Sequence, residues 1–216
     1  MVAKAPPSGR SQDLRRPRGR ERILEAATQL FAERGFAAVS VQDIANEAGT
    51  HKTTVLYHFD TKEGLREAVL DTALGRIAGL MREFMSGDLV RERVAYLLDQ
   101  IQAYFAAHPA SARLLQRELL EPDASRYLRR FVEPIYTPAL RSLERAMKAG
   151  RIRRVDPAFF VHDLHVQIIG YFCHGSLLQT LRQGNPYTVD SLIARRDYLV
   201  DQIFRQLIPG TKEVSR

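Results

Sequence analysis

Residues 40–65, SVQDIANEAGTHKTTVLYHFDTKEGL, constrain this chain more than any other stretch, because two short amphipathic runs meet at one glycine. Ser40 stands where a hydroxyl accepts from the first free N–H groups of a helix. Asp43, three residues on, supplies the acid of a capping box, so a helix is predicted over 41–48. Gly49 provides the left-handed conformation that ends it, and Thr50 is the expected cap of a second helix over 51–58. Ala45 is small enough to let the two axes approach, and Val55 is spaced to pack on Ile44 and Ala48. A chance helical hairpin would need none of these features together. The pattern is that of a helix-turn-helix, whose second helix lies in the DNA major groove.

Upstream, RERILEAATQLFAERGF predicts a first helix over 20–34. Ile23, Ala27, Leu30 and Phe31 form one apolar face, and Gly35 ends it. Phe36, Val39 and Val41 complete the small core beneath the two-helix unit. Together with IANEAGTHKTTVLYHFDTKEGL, this segment resembles the DNA-binding domain of the tetracycline-repressor (TetR) family of transcriptional regulators over roughly residues 20–70. The D-I-A…A-G run, Lys52, Tyr57-His58-Phe59 and Lys62-Glu63 carry the likeness. The chain departs from the family pattern at Thr50 and His51, where valine and serine are common, and at Leu56, where a second aromatic is often seen. These departures bear on which operator is read, not on the fold.

Near the start of the second helix, His51, Lys52, Thr53 and Thr54 are the candidates for base edges. Lysine donates to guanine or to phosphate, and threonine offers a hydroxyl and a methyl. Ser40, Gln42, Tyr57, His58 and Lys62 are expected to hold phosphates, with Thr50 beside them at the turn. The resemblance implies the phosphate role for Tyr57 and Lys62 in particular. Lys62 opposes the dipole at the start of a fourth helix capped by Thr61, which an anion bound there would explain.

The net charge of +7 suits a polyanionic partner, and +5 of it lies in residues 1–20, around Arg15, Arg16, Arg18 and Arg20. Residues 1–19 read as a disordered basic arm that orders against DNA or remains a solvated tail. Deleting residues 1–17 should weaken DNA binding and flatten its salt dependence. Cys173 is the only cysteine, so no disulfide closes within the chain, which fits a reducing cytosol. No apolar run reaches the ~18 residues needed to span a bilayer. A soluble cytoplasmic protein with no membrane partner is therefore expected.

Beyond the fourth helix, which is predicted to end near Phe84, Ser86-Gly87-Asp88 breaks the chain. Helical patterns follow over 89–107, 110–120, 124–149 (interrupted by Pro134 and Pro138), 157–181 and 188–207. The fold class is all-α, with about nine helices: a DNA-binding domain at 20–66, a helical domain at 67–210, and a tail at 211–216. The last two long helices are apolar on two faces. A twofold mate is the economical cover, giving a homodimer and a palindromic double-stranded operator. Family resemblance implies the same dimer, and a small-molecule pocket among helices four to eight whose filling moves helix four and releases DNA.

Phe84, Tyr104, Phe131, Tyr136, His165, Ile169 and Phe172 are candidate apolar or aromatic pocket lining, with Arg117 and Glu118 as polar candidates. A mainly hydrophobic or aromatic effector follows. His162, His165, Cys173 and His174 invite a metal reading, but no carboxylate–cysteine pattern completes a site, so neither metal nor cofactor is expected. Phosphate-cradling loops, nucleophile elbows and paired catalytic acids are lacking, which argues against an enzyme. The alternative within this fold is an architectural or division-associated DNA binder that takes no ligand.

Overall fold

The computed structural model describes residues 19–87, 89–121 and 124–208; these are helical, with no strand among them. The basic arm up to residue 18 and the tail at 211–216 lie outside the described residues. The helices are α1 (Gly19–Arg34), α2 (Val41–Glu47), α3 (Lys52–Phe59), α4 (Lys62–Met85), α5 (Arg91–Ala107) and α6 (Pro109–Glu118). After them come α7 (Ala124–Tyr127), a π-helical turn (Leu128–Val132), α8 (Glu133–Lys148), α9 (Pro157–Cys173), α10 (Gly175–Arg182) and α11 (Val189–Leu207).

The first three helices form a wedge around Ile23, Ala27, Phe31, Val39, Ile44, Ala45 and Val55, all buried. The capping box of α2 is complete: the Ser40 hydroxyl accepts from the Asp43 N–H, and the Asp43 carboxylate accepts from the Ser40 N–H at 2.8 Å. These bonds hold the Asp43 carboxyl below its usual range. At the other end Gly49, at φ +61°, donates to the Asn46 carbonyl while the Thr50 N–H reaches back to Ala45. This is a Schellman turn, and it corrects the role expected for Thr50. Its backbone closes α2, so the cap position of α3 passes to His51, which makes no side-chain capping bond.

Between α3 and α4 the chain turns at Asp60, whose φ of 58° and ψ of −53° accompany a Thr61 N–H to Phe59 carbonyl bond of 2.6 Å. That is a strained γ-turn. A non-glycine residue held there costs roughly 1–3 kcal/mol, against roughly 0.5–1 kcal/mol for glycine's extra chain entropy. Asp60→Gly is therefore expected to raise stability by about 1 kcal/mol, read as a higher midpoint in urea.

Thr61 caps α4 through the Gly64 N–H, as its position predicted. The division expected at residues 66 and 67 falls inside this helix, and one buried cluster runs from Ile23 in α1 through Val69 and Leu74 to Phe105 and Ile169. A second cluster, around Val94, Leu98, Ile152, Phe160 and Leu199, fills the far end.

Two predicted helices are each split. In the 124–149 segment, Pro134 has no N–H to give, and the backbone widens just before it: Glu133 donates five residues back to Leu128. Pro138 is carried inside α8. The 157–181 segment breaks at His174. There Tyr187 lies against Gly175, and its hydroxyl reaches the Phe172 carbonyl at 3.3 Å. No helix among the described residues is long and apolar enough to cross a membrane.

Candidate DNA-reading surface and effector cavity

Helix α3 buries Val55 and Phe59 in the wedge and turns its remaining face outward. His51, Lys52, Thr53, Tyr57 and His58 are exposed, and Thr50 and Thr54 half-buried. Tyr57 is 83 % exposed, so its ring and hydroxyl are both open to a partner. His51 supplies no side-chain cap, so the first N–H groups of α3 have no side-chain acceptor among the described residues. Ser40 and Gln42 lie on the exposed edge of α2, where Gln42 donates to Asn46 at 2.9 Å. Lys62 has a neighbour the sequence did not suggest: its ammonium sits 4.2 Å from the centre of the Phe36 ring.

The wedge meets the rest of the chain through α6. Glu118, 3 % exposed, pairs with Arg66 of α4, whose guanidinium donates to both carboxylate oxygens at 2.6–3.2 Å. Arg66 also lies over Phe36 at 4.6 Å. Gly35, at φ +82°, leaves room for Arg117, and a Cβ there would stand 2.7 Å from the Arg117 Nε. Glu67 binds Arg126 and Arg130 at 2.6 and 2.9 Å, tying α4 to the segment around the π turn.

Where the two buried clusters meet there is a cavity of about 510 Å³ between α4, α5, α8, α9 and the end of α11, within the range of small-molecule sites. Phe84, Tyr136, His165 and Ile169 line it, as the sequence suggested. The other five candidates are elsewhere. Phe172 stacks on Tyr187 and Phe105, Phe131 on Tyr127, and Tyr104 packs beside Phe105 and His108. Arg117 lies against Gly35 and Glu118 is paired with Arg66, so both serve the joint with the wedge, while Leu115, one turn before Glu118, reaches the cavity wall.

Met81, Leu97, Ile101, Ile135 and Leu164 complete much of the wall. The sequence does not single them out as lining, because periodicity tells which face is buried and not whether the space behind it is filled. Arg151 is also at the cavity.

Inside, the Tyr136 hydroxyl and His165 Nδ1 are 2.6 Å apart, and His165 Nε2 is buried without a partner among the described residues. Burial pushes the Tyr136 phenol up to about 12. Burial, with His162 nearby, lowers the His165 pKa, so both are neutral near pH 7. In the unfolded chain His165 regains its ordinary value near 6.5 and binds a proton that the folded form resists. Its contribution to stability is whole above that value and is lost as pH falls through the depressed folded value. The urea midpoint should drop on acidification below about pH 6.5, and less steeply in His165→Gln. Among the described residues no three metal-ligating side chains converge, and His162 lies exposed beside Asp163 at 3.3 Å.

A wedge that presents a polar second helix, joined by one long helix to a second helical domain, defines a helix-turn-helix regulator. The description "Bacterial regulatory proteins, tetR family" matches residues 23–69. The chain is 28 % identical over 181 residues to the HTH-type transcriptional repressor KstR2 of Rhodococcus jostii RHA1, covering 80 % of this chain and 84 % of that one. It is 42 % identical over 78 residues to the repressor Rv3405c of Mycobacterium tuberculosis H37Rv, covering 34 % of this chain and 42 % of that protein. The fold matches the fatty acid degradation regulator FadR of Bacillus halodurans with a TM-score of 0.65 at 18 % identity, over 88 % of this chain and 98 % of that one. Residues 23–69 therefore match the tetR-family DNA-binding region, and over most of its length the chain is similar to a transcriptional repressor. The relatives it matches are DNA-binding transcriptional regulators rather than enzymes.

Proposed function

We propose that the protein is a homodimeric repressor that reads a palindromic operator with α3 and leaves it when a small, mainly apolar effector fills the cavity. One observation carries the reading: α4 bears the wedge at its start and lines the cavity from Leu74 to Met85 at its other end. A ligand that favours one placement of α4 therefore biases the wedge, and DNA weakens ligand binding by the same factor. Helix α6 supplies a second connection, with Leu115 on the cavity wall and Glu118, one turn on, held to Arg66. Solved structures of similar fold include a fatty acid degradation regulator, which accords with such an effector, and the cavity weighs against a ligand-free architectural role.

In this reading His51, Lys52, Thr53 and Thr54 meet base edges, while Ser40, Gln42, Thr50, Tyr57, His58 and Lys62 hold the backbone. Tyr57→Phe should weaken all duplexes alike, whereas Thr53→Ala should relax preference at one base pair at a cost of about 1–3 kcal/mol in discrimination. Gel-shift titrations against a substituted operator series check both. Dimerisation is supported by an uncovered apolar face: Phe159 and Val166 of α9, Leu177 and Leu181 of α10, and Val189 and Ile193 of α11 are all exposed. The test of the whole is a gel shift on the DNA flanking the protein's own gene, with release by an apolar metabolite as the expected result. Operator binding that no such compound alters would remove the effector.

A further inference from the structure

The cavity's one charged wall residue stands at its mouth. Of the lining residues, Gly87, Val90, Arg151 and Ile208 are exposed and the others at least half-buried, so the opening lies between the α4–α5 and α8–α9 loops and the end of α11. The deep end is Leu74, Phe105, Leu115 and Ile169, all buried. From Leu74 to Met85 the wall runs roughly 16 Å along α4, a narrow length rather than a sphere. No aspartate or glutamate is among the described lining residues, and Arg151 is the single arginine or lysine.

Arg151 is fixed in place and uncommitted. Gly150, at φ +66°, closes α8 in a Schellman turn, with its own N–H on Met147 and the Arg151 N–H on Ala146 at 3.0 Å each. Two residues on, the Arg153 N–H is bonded to the Leu207 carbonyl at 2.7 Å, tying this loop to the end of α11 across the opening. The Arg151 side chain makes no hydrogen bond or ion pair among the described residues. A solvated arginine at a helix C-terminus is commonplace, but one held by a rigid turn at the rim of an otherwise apolar channel has a ligand-binding geometry.

We infer that the cavity takes a chain-like amphipath, its apolar tail running inward to Leu115 and its anionic head, a carboxylate or phosphate, held at the mouth by Arg151. The inference rests on the effector reading above and adds the ligand's polarity and direction. Tail-first entry brings the apolar end to α6, one turn from the Glu118–Arg66 pair, while the head stays in water beside the guanidinium. An anion buried at the deep end would find only the neutral Tyr136–His165 pair and no cation, so the opposite orientation is disfavoured by desolvation.

Direct binding to the full chain, by displacement of an environment-sensitive fluorescent probe, tests this without DNA. Dodecanoate, dodecanoyl-coenzyme A and the neutral dodecanol share a tail and differ in the head. The parent should bind one or both anionic compounds about tenfold more tightly than dodecanol. Arg151→Gln should erase that preference, and Arg151→Lys should retain most of it. Preference for the free acid alone points to a carboxylate head, and for the thioester alone to a phosphate-bearing one. Equal affinity for all three, unchanged in Arg151→Gln, overturns the head-group assignment and leaves an apolar effector standing. Binding of none of them overturns both.

Discussion

Arg66→Ala is expected to remove on the order of 3–5 kcal/mol of stability, because it takes a two-bond partner from the nearly buried Glu118 carboxylate in the seam between wedge and cavity. Glu118 is 3 % exposed and Arg66 13 %, so little water reaches either to replace the lost bonds. In a chain of 216 residues the melting temperature should fall on the order of 10 °C. Replacing both, as Arg66→Met with Glu118→Leu, should recover most of that loss, since a packed apolar pair of similar size is often as stable as a buried ion pair. The double variant separates stability from communication. If the pair links α6 to α4, the restored protein should still bind operator but respond less to an effector. A single variant as stable as the parent would contradict the burial argument.

Val166→Asp combined with Ile193→Asp should leave the protomer folded and abolish the dimer. Val166 is 51 % and Ile193 40 % exposed, so an aspartate at either position costs the isolated chain little. At a dimer seam each charge is repeated by symmetry and meets its mate or an apolar wall without a counter-ion, which costs several kcal/mol. Sedimentation should show a single protomer with unchanged helical content, and operator affinity should fall on the order of a hundredfold or more. A variant that still sediments as a dimer would move the interface off α9 and α11.

The wedge was legible in the sequence because its determinants are local. Ser40 and Asp43 close a cap three residues apart, and Gly49 and Gly35 take positive φ where a turn was required. Even there the assignment of Thr50 failed, since a hydroxyl before a helix does not reveal that its N–H is already committed to the helix behind. The cavity was legible only in part. Tyr136, His165, Ile169 and Phe84 were found by apolar spacing, whereas Phe172 and Tyr104 share that spacing and are consumed by aromatic neighbours. Helix lengths in the second domain were overrun where a distant contact, Tyr187 on Gly175, decides the break.

Arg117 and Glu118 were singled out as polar groups on a short helix, and their destination could not be known without the fold. One step around α6 separates a ligand wall from the joint that holds the wedge. Arg151 is the converse case, a solvent-exposed residue that a glycine turn sets at the mouth of the cavity.

Footprinting on the DNA flanking the protein's own gene, with the oligomer sedimented alongside, bears most directly on the central reading. The expected result is a particle of two chains protecting two inverted half-sites whose centres lie about 34–36 Å apart if they are one turn apart. A single protomer that shows no preference for any duplex over random competitor would contradict it.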